Sequence, residues 1–433
     1  MKEKPNIILF ITHDQGQFLG CYDSFQTPNS LSTPNIDNLA LNGVKFTNYF
    51  CTAPQCSPSR GSIQTSLYPH QNGLMGLVDR GWTLPEHNKT LAMYLKESGY
   101  TTHLLGFQHE SFNAYSLGYD TVSKRTYEFR YSLKKMEKNY IDFFNHHKED
   151  KNPFYVCIGV PEVHRPFVVW AEPVDPNIVK IPPYLPDNQI VREDLAYFYG
   201  AVQLVDLYIG KILKLLEEND LRENSIFLYT TDHGGAFPRA KCTLYDPGIK
   251  TLLLISWPNS EIIKQGLVID QMISNIDLLP TLLDLIGVQI PNGIEGKNFL
   301  KILNDELENH RTEIYTEKTY HEVYDPIRAV RSENYKYIKN FKMSNTLYQI
   351  PSDIGRDPSG KFMKDFINNP RSEEELYDLQ KDPNEMNNLV NNSAYKDIKI
   401  ELSQKLFEWM KNTNDPILKG KIKGLRKIPP RYY

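Results

Sequence analysis

The chain has 433 residues, 40% of them hydrophobic and 24% charged, with a formal net charge of −4. That length suits two or three domains, or one large α/β domain with a smaller companion, and it can bury a substantial core. The charge balance excludes a nucleic-acid binder that relies on bulk positive charge, while a local basic site for an anion remains compatible with it. The five cysteines, Cys21, Cys51, Cys56, Cys157 and Cys242, are odd in number and show neither zinc nor C-x-x-C spacing, the pattern of a reducing compartment. Residues 1–5 carry no apolar leader and no stretch is long enough to span a membrane, so the expectation is a cytoplasmic protein, or a periplasmic or secreted one if a leader has been removed.

In chain order, Asn6–Thr12 is a continuous apolar run, the mark of a strand buried on both faces of a parallel sheet. It ends in His13-Asp14-Gln15-Gly16, which puts a carboxylate where open α/β sheets place ligands. Taken alone, Asp14 reads as a turn residue capping the next element. Residues 33–39 read as a capped helix start closed by Gly43, and Val44–Phe50 as a strand.

Cys56-Ser57-Pro58-Ser59-Arg60 follows. Pro58 suits the first turn of a helix. Cys56 then stands just before a helix N-terminus, where free N–H groups favour an anion and lower a thiol pKa. Arg60 is placed for bidentate contact with sulfate or phosphate. In isolation Cys56 reads as a buried residue in a loop-to-helix turn.

Residues 89–98 make an amphipathic helix with Leu91, Met93, Tyr94 and Leu95 inward, and 100–105 a strand ending in Gly106-Phe107-Gln108-His109-Glu110. A helix is expected over 131–147 and a strand over 154–160, ending in Pro161-Glu162-Val163-His164-Arg165-Pro166. By themselves His109 reads as structural and Arg165 as a solvated loop cation. Residues 191–216 are a long packing helix. Ser225–Thr231 is a strand ending in Asp232-His233-Gly234-Gly235, with a further strand at 252–257 and a helix at 274–287. Residues 313–317 read as a last strand of the main sheet. Residues 328–331 and 335–338 then alternate like antiparallel strands, with a helix over 395–411 packed on them. The basic tail, 419–433, reads as a solvated arm. The expected division is a catalytic domain, 1–325, and a smaller domain, 326–433.

In sequence order, these motifs resemble the formylglycine-dependent sulfatases of the alkaline phosphatase superfamily over almost the whole chain. The features that carry the likeness are C-x-P-x-R at 56–60, the flanks C-T-A-P-Q at 51–55 and Y-P-H-Q-N-G at 68–73, His109, His164, D-H-G at 232–234 and K-C-T-L-Y-D-P-G at 241–248. The 68–73 flank, Gln108-His109 and the stretch from His321 to Arg331 are more similar to the heparan N-sulfatase (sulfamidase) branch than to the arylsulfatases. The resemblance implies an alkaline-phosphatase-like α/β/α sandwich with a mostly parallel sheet, plus a smaller α+β domain with an antiparallel sheet.

The same resemblance implies that a maturation enzyme oxidises Cys56 to formylglycine, whose hydrate is the nucleophile. It assigns Arg60 and Lys241 to the sulfuryl oxygens, and His109 and His164 to proton transfer. For the metal it assigns Asp14, Asp232 and His233, with either His13 or Gln15 as a further ligand, of which Gln15 is favoured. Calcium is the metal implied first; His233 in place of the family's Asn opens Mn, Fe or Zn. Phe107 stands where the family has Lys, making Arg165 a candidate replacement cation, and His321 is a candidate substrate contact. The implied activity is hydrolysis of a sulfate ester or sulfamate of a glycosaminoglycan-type sugar. Asp14-Gln15 and Asp232-His233 motivate an alternative, a phosphonate or phosphate mono- or diester hydrolase, and Phe107 motivates another, a non-catalytic sugar-sulfate binder. No nucleic-acid or membrane partner is expected, and homo-oligomer formation is left open.

Overall fold

Seven residues, Asn6–Thr12, form β1, and alternation along it serves two cores: Ile8 and Phe10 enter one apolar cluster, Ile7, Leu9 and Ile11 the other. The computed structural model describes residues 4–22, 30–124, 132–149, 152–306 and 310–425. The end of the predicted basic arm, 426–433, lies outside them. After β1 come β2 (Val44–Phe50), β3 (Thr101–Gly106), β4 (Thr121–Val122), β5 (Phe154–Gly159), β6 (Ser225–Thr231), β7 (Lys250–Ser256), β8 (Leu267–Ile269) and β9 (Ile273–Ser274). Among the described residues they form one sheet of order β4-β3-β5-β1-β6-β7-β2-β8, with β9 beside β2. Every strand runs the same way except β7, which is antiparallel to β6 and to β2.

Helices cover both faces, as the continuous apolar strands demand. Leu133–His146 and Gln189–Glu218 lie over one core, Leu91–Glu97 and Leu278–Leu285 over the other. The long helix buries Leu195, Phe198, Val202, Val205, Ile209 and Ile212 at helical spacing, and Asn188 caps it by accepting the Val191 N–H. This is the α/β/α sandwich expected from the sequence. No helix among the described residues is long and apolar enough to cross a membrane.

A second sheet holds β10 (Glu313–Tyr320), β11 (Tyr324–Ser332), β12 (Tyr335–Asn340) and β13 (Glu374–Asp378), antiparallel in that order. The reading of residues 313–317 as a last strand of the main sheet is corrected here: β10 pairs with β11. Its apolar residues are shared between two layers. Ile314 packs with Ile327, Ala329 and Ile338 against Phe50 and Ile249 of the main unit, while Tyr315 stacks on Trp409, 5.1 Å between ring centroids. The helix Lys396–Asn412 covers the outer face through Leu402, Leu406 and Met410. A division at 325/326 falls inside β11 and would part β10 from its partner.

Candidate active site

Because β1, β3, β5 and β6 are parallel, their carboxyl ends meet at one edge of the sheet, and the loops that leave them carry the polar residues singled out above. β1 ends at Thr12 and the chain turns at Asp14, which has a left-handed backbone, φ 53°. His13 and Asp14 turn into the hollow. The Asp14 and His233 N–H groups both donate to Asp232 Oδ1, at 2.9 Å each, which ties the β1 and β6 loops together.

The helix Cys56–Thr65 approaches the same point. Its N-cap, Gln55, is extended, Cys56 is its first residue, and all ten of its residues are buried. Arg60 looks back at the sheet, with Nε donating to Asp232 Oδ2 at 3.1 Å and Nη2 to the Thr12 carbonyl at 3.1 Å. Two of its donors therefore serve a site carboxylate and a strand end.

Cys56 Sγ lies 3.7 Å from Asp14 Oδ1 and 3.5 Å from His233 Nε2. Asp14 Oδ1 is 3.0 Å from His233 Nε2, and Asp232 Oδ2 is 2.7 Å from His13 Nδ1. Lys241 Nζ donates to Asp14 Oδ2 at 2.5 Å and to Asp353 Oδ2 at 2.6 Å, and is 3.3 Å from His164 Nε2. His164 Nδ1 lies 2.6 Å from the Arg165 carbonyl, so Nδ1 carries the proton and Nε2 receives the Lys241 ammonium. His109 Nε2 is 3.6 Å from Asp79 Oδ1.

The electrostatics follow from this crowding. Burial opposes ionisation of Asp14, yet Lys241, His164 and His233 hold its carboxyl well below the usual range. Asp232 is likewise held down against burial, by His13, His233 and Arg60. Lys241 is raised despite burial, by Asp14 and Asp353. Burial, with Lys241 next, pushes His164 down to about 4, so in the resting site the mobile proton sits on Lys241. The sequence reading expected a thiol acidified by a helix N-terminus. Instead burial raises Cys56 well above its ordinary value, because a dry pocket with Asp14 and Asp232 beside it disfavours a thiolate more than Lys241 favours one.

The donor set fits a divalent metal. His13, Asp14, Cys56 and Asp232 each present one donor atom within 4.8 Å of the others, in a fully buried place where two ionised carboxylates need positive charge. Gln15 Oε1 accepts from the Tyr229 hydroxyl, 2.7 Å, while His13 stands among the histidine, cysteine and acidic donors of the hollow. One sequence assignment is corrected. Arg165 is not at the sulfate position. Its guanidinium donates to Asp194 (2.9 and 2.7 Å), Asp357 (3.1 Å), Ser359 (3.1 Å) and the Ala236 carbonyl (2.6 Å), and lies against the Phe167 ring. His321 is buried at the rim, within electrostatic reach of Lys241, Asp353 and Asp79. Sequence reasoning missed Asp353, which comes from the short helix Ser352–Gly355 between β12 and β13, and Asp79, which no motif marks.

Residues 5–288 match the sulfatase family, and residues 235–374 and 361–412 match the family described as N-sulphoglucosamine sulphohydrolase, C-terminal. The chain belongs to the sulfatase family. As a sulfatase it is a hydrolase of sulfuric esters or sulfamates, and the family implies formylglycine and a divalent metal. An ulvan-active sulfatase of Formosa agariphila is 29% identical, covering 100% of this chain and 84% of its own length. The N-sulphoglucosamine sulphohydrolase of Homo sapiens is 25% identical, covering 95% of this chain and 91% of its own. A solved structure in complex with its substrate D-glucosamine-2-N,6-O-disulfate shares the fold, with a TM-score of 0.75 at 20% identity over 97% of this chain and 100% of that one.

Proposed function

We propose that this sulfatase removes an O- or N-linked sulfate from a glycosaminoglycan-type sugar, with residue 56 acting as formylglycine after conversion by a maturation enzyme. The observation that carries the reading is the meeting of Cys56, Asp14, Asp232, His233, Lys241 and His164, drawn from four separate stretches of the chain, in one buried hollow. Two relatives, an ulvan-active sulfatase and an N-sulphoglucosamine sulphohydrolase, support a sulfated sugar.

Held by His13, Asp14, Asp232 and His233, a divalent metal ion would set positive charge against the sulfuryl oxygens and acidify the attacking hydroxyl. With two imidazoles in that set, Mn, Fe or Zn suits it better than calcium. One hydroxyl of the hydrated aldehyde at 56 loses its proton to solvent and attacks sulfur, and the sulfur–leaving-atom bond breaks. Lys241 and His164 share one proton across 3.3 Å and deliver it to the departing oxygen or nitrogen. His109, backed by Asp79, takes the proton of the second hydroxyl as sulfate leaves and the aldehyde returns. Arg60 acts through Asp232, holding it ionised.

Phe107 stands where the resemblance gives a lysine, and its ring packs on the His13 imidazole, 4.9 Å apart between centroids. A panel of glucosamine N-sulfate, glucosamine 6-sulfate and glucosamine 6-phosphate tests the proposal on the formylglycine form. Release of sulfate with at least tenfold preference over phosphate is expected; a preference for phosphate would overturn it.

A further inference from the structure

His233 offers the lone pair already assigned to the metal, and in the unmatured chain that lone pair faces a thiol. Its Nδ1 lies 2.9 Å from the Gly234 carbonyl oxygen, so that nitrogen carries the ring proton and the lone pair is on Nε2. Nε2 faces Asp14 Oδ1 at 3.0 Å and Cys56 Sγ at 3.5 Å, and Sγ is 3.7 Å from that same carboxylate oxygen. A lone pair this close to an ionised carboxylate requires a shared cation, either a proton or a metal.

The shape of the group also fits a metal. Zinc bound tetrahedrally, at about 2.3 Å to sulfur and about 2.0–2.1 Å to nitrogen and oxygen, spaces its ligands by roughly 3.5 Å for sulfur to nitrogen or oxygen and roughly 3.3 Å for nitrogen to oxygen. The observed triangle, with edges of 3.0, 3.5 and 3.7 Å, is close to one face of that tetrahedron. His13 Nδ1, 3.5 Å from Asp14 Oδ1 and 2.7 Å from Asp232 Oδ2, is a further donor beside that face. The His13, Asp14 and Cys56 donors also lie within 4.8 Å of one another.

We infer that, while residue 56 is still a cysteine, the hollow is a site for a thiolate-seeking divalent ion of the zinc class, held by Cys56 Sγ, His233 Nε2, Asp14 Oδ1 and His13 Nδ1. As the metal–sulfur bond forms, the S–H bond breaks and its proton passes to solvent; no electron is transferred. The Gly234 carbonyl fixes the His233 tautomer and Arg60 steadies the neighbouring Asp232, the outer contacts that orient such ligands. Conversion of Cys56 to formylglycine removes the soft corner, so the matured and unmatured proteins rank metals differently. The inference rests on the donor set and on the thiol form, so it stands or falls apart from sulfate release by the matured enzyme.

The test uses the full chain made without maturation enzyme, with Cys56 confirmed as a thiol by mass and metal stripped by chelator. Titration with cobalt(II) is expected to saturate at one equivalent and to give thiolate-to-cobalt charge-transfer absorption in the near ultraviolet with tetrahedral visible bands. One equivalent of zinc should erase both; a large excess of calcium should not. Cys56→Ser should lose the charge-transfer band and bind cobalt at least tenfold more weakly, and His13→Asn should weaken binding but keep the band. No charge-transfer absorption at saturating cobalt in the wild-type thiol form would overturn the inference whatever the variants do. Equal cobalt affinity in a folded Cys56→Ser would overturn it too.

Discussion

Two buried clusters in this sulfatase each bring a histidine and two carboxylates within ligand distance, and only one of them is built to react. One is the hollow around Asp14 and Asp232; the other joins His70, Glu317 and Asp415. In the second, the Arg328 guanidinium lies among the acids. It donates to Asp415 at 2.5 and 3.0 Å and to the carbonyls of Lys318 and Ile327 at 2.9 and 3.0 Å, and its Nε is 3.2 Å from Glu317. Glu317 also accepts from the His70 backbone N–H, at 2.7 Å, and its other oxygen is 2.9 Å from His70 Nδ1. A planar fork, fixed in a strand and spent on all sides, holds Glu317 and Asp415, and Glu317 completes a staple to His70 of the main unit. In the hollow the partner of Asp14 is a lysine ammonium, a point charge on a flexible stem that can release its carboxylate to a metal or a substrate. Asp232 has a guanidinium partner too, Arg60; what differs is Asp14, whose cation is the flexible one.

The sharpest way to break this comparison is Arg328→Met. It leaves Glu317 and Asp415 buried without their cation and is expected to cost about 3–5 kcal/mol in urea unfolding, while sulfate release per folded molecule holds. A loss of turnover with unchanged stability would mean the staple is part of the site. His164→Gln is next: kcat on a sugar sulfate should fall about 10²-fold, with a much smaller drop on nitrophenyl sulfate, whose leaving group needs no proton. Equal losses on both substrates would take proton delivery away from His164.

Arg165→Lys is expected to cost about 1–3 kcal/mol of stability, through loss of the paired contact with Asp194, and to leave KM unchanged. A rise in KM without destabilisation would return Arg165 to the substrate. The smallest effect concerns pH. Burial, with Lys241 next, holds His321 down at about 3, against an ordinary value of 6.5. The unfolded chain takes up a proton near 6.5 and the folded one does not until near 3, so stability present above pH 6.5 drains away as pH falls between those values. His321→Asn should flatten that part of the curve of unfolding midpoint against pH; identical curves would place His321 outside this environment.

Most of the frame is visible in the amino-acid order because buried parallel strands are written as apolar runs. β1, β2 and β6 fall at the residues their runs predict, and the polar residues that end them fall at one edge. The side chains that face the hollow are harder to read. The left-handed turn at Asp14 directs His13 inward and Gln15 to Tyr229, and nothing in the order H-D-Q announces that turn. Arg165 follows His164 directly, yet an acid twenty-nine positions on claims it, a pairing settled only by packing. Asp353 reaches Lys241 from a stretch without periodicity, and β10 chooses its sheet by a hairpin partner that lies ahead of it in the chain.

The claim that everything else leans on is that residue 56, once converted, does the chemistry. Protein batches made with graded amounts of maturation enzyme give a series in which the mass of the peptide holding residue 56 reports the converted fraction, and sulfate release is measured on each. Turnover is predicted to rise in proportion to that fraction and to pass through zero at zero conversion, with Cys56→Ala at least about 10³-fold below the fully converted enzyme. Undiminished turnover in unconverted protein or in Cys56→Ala would contradict it.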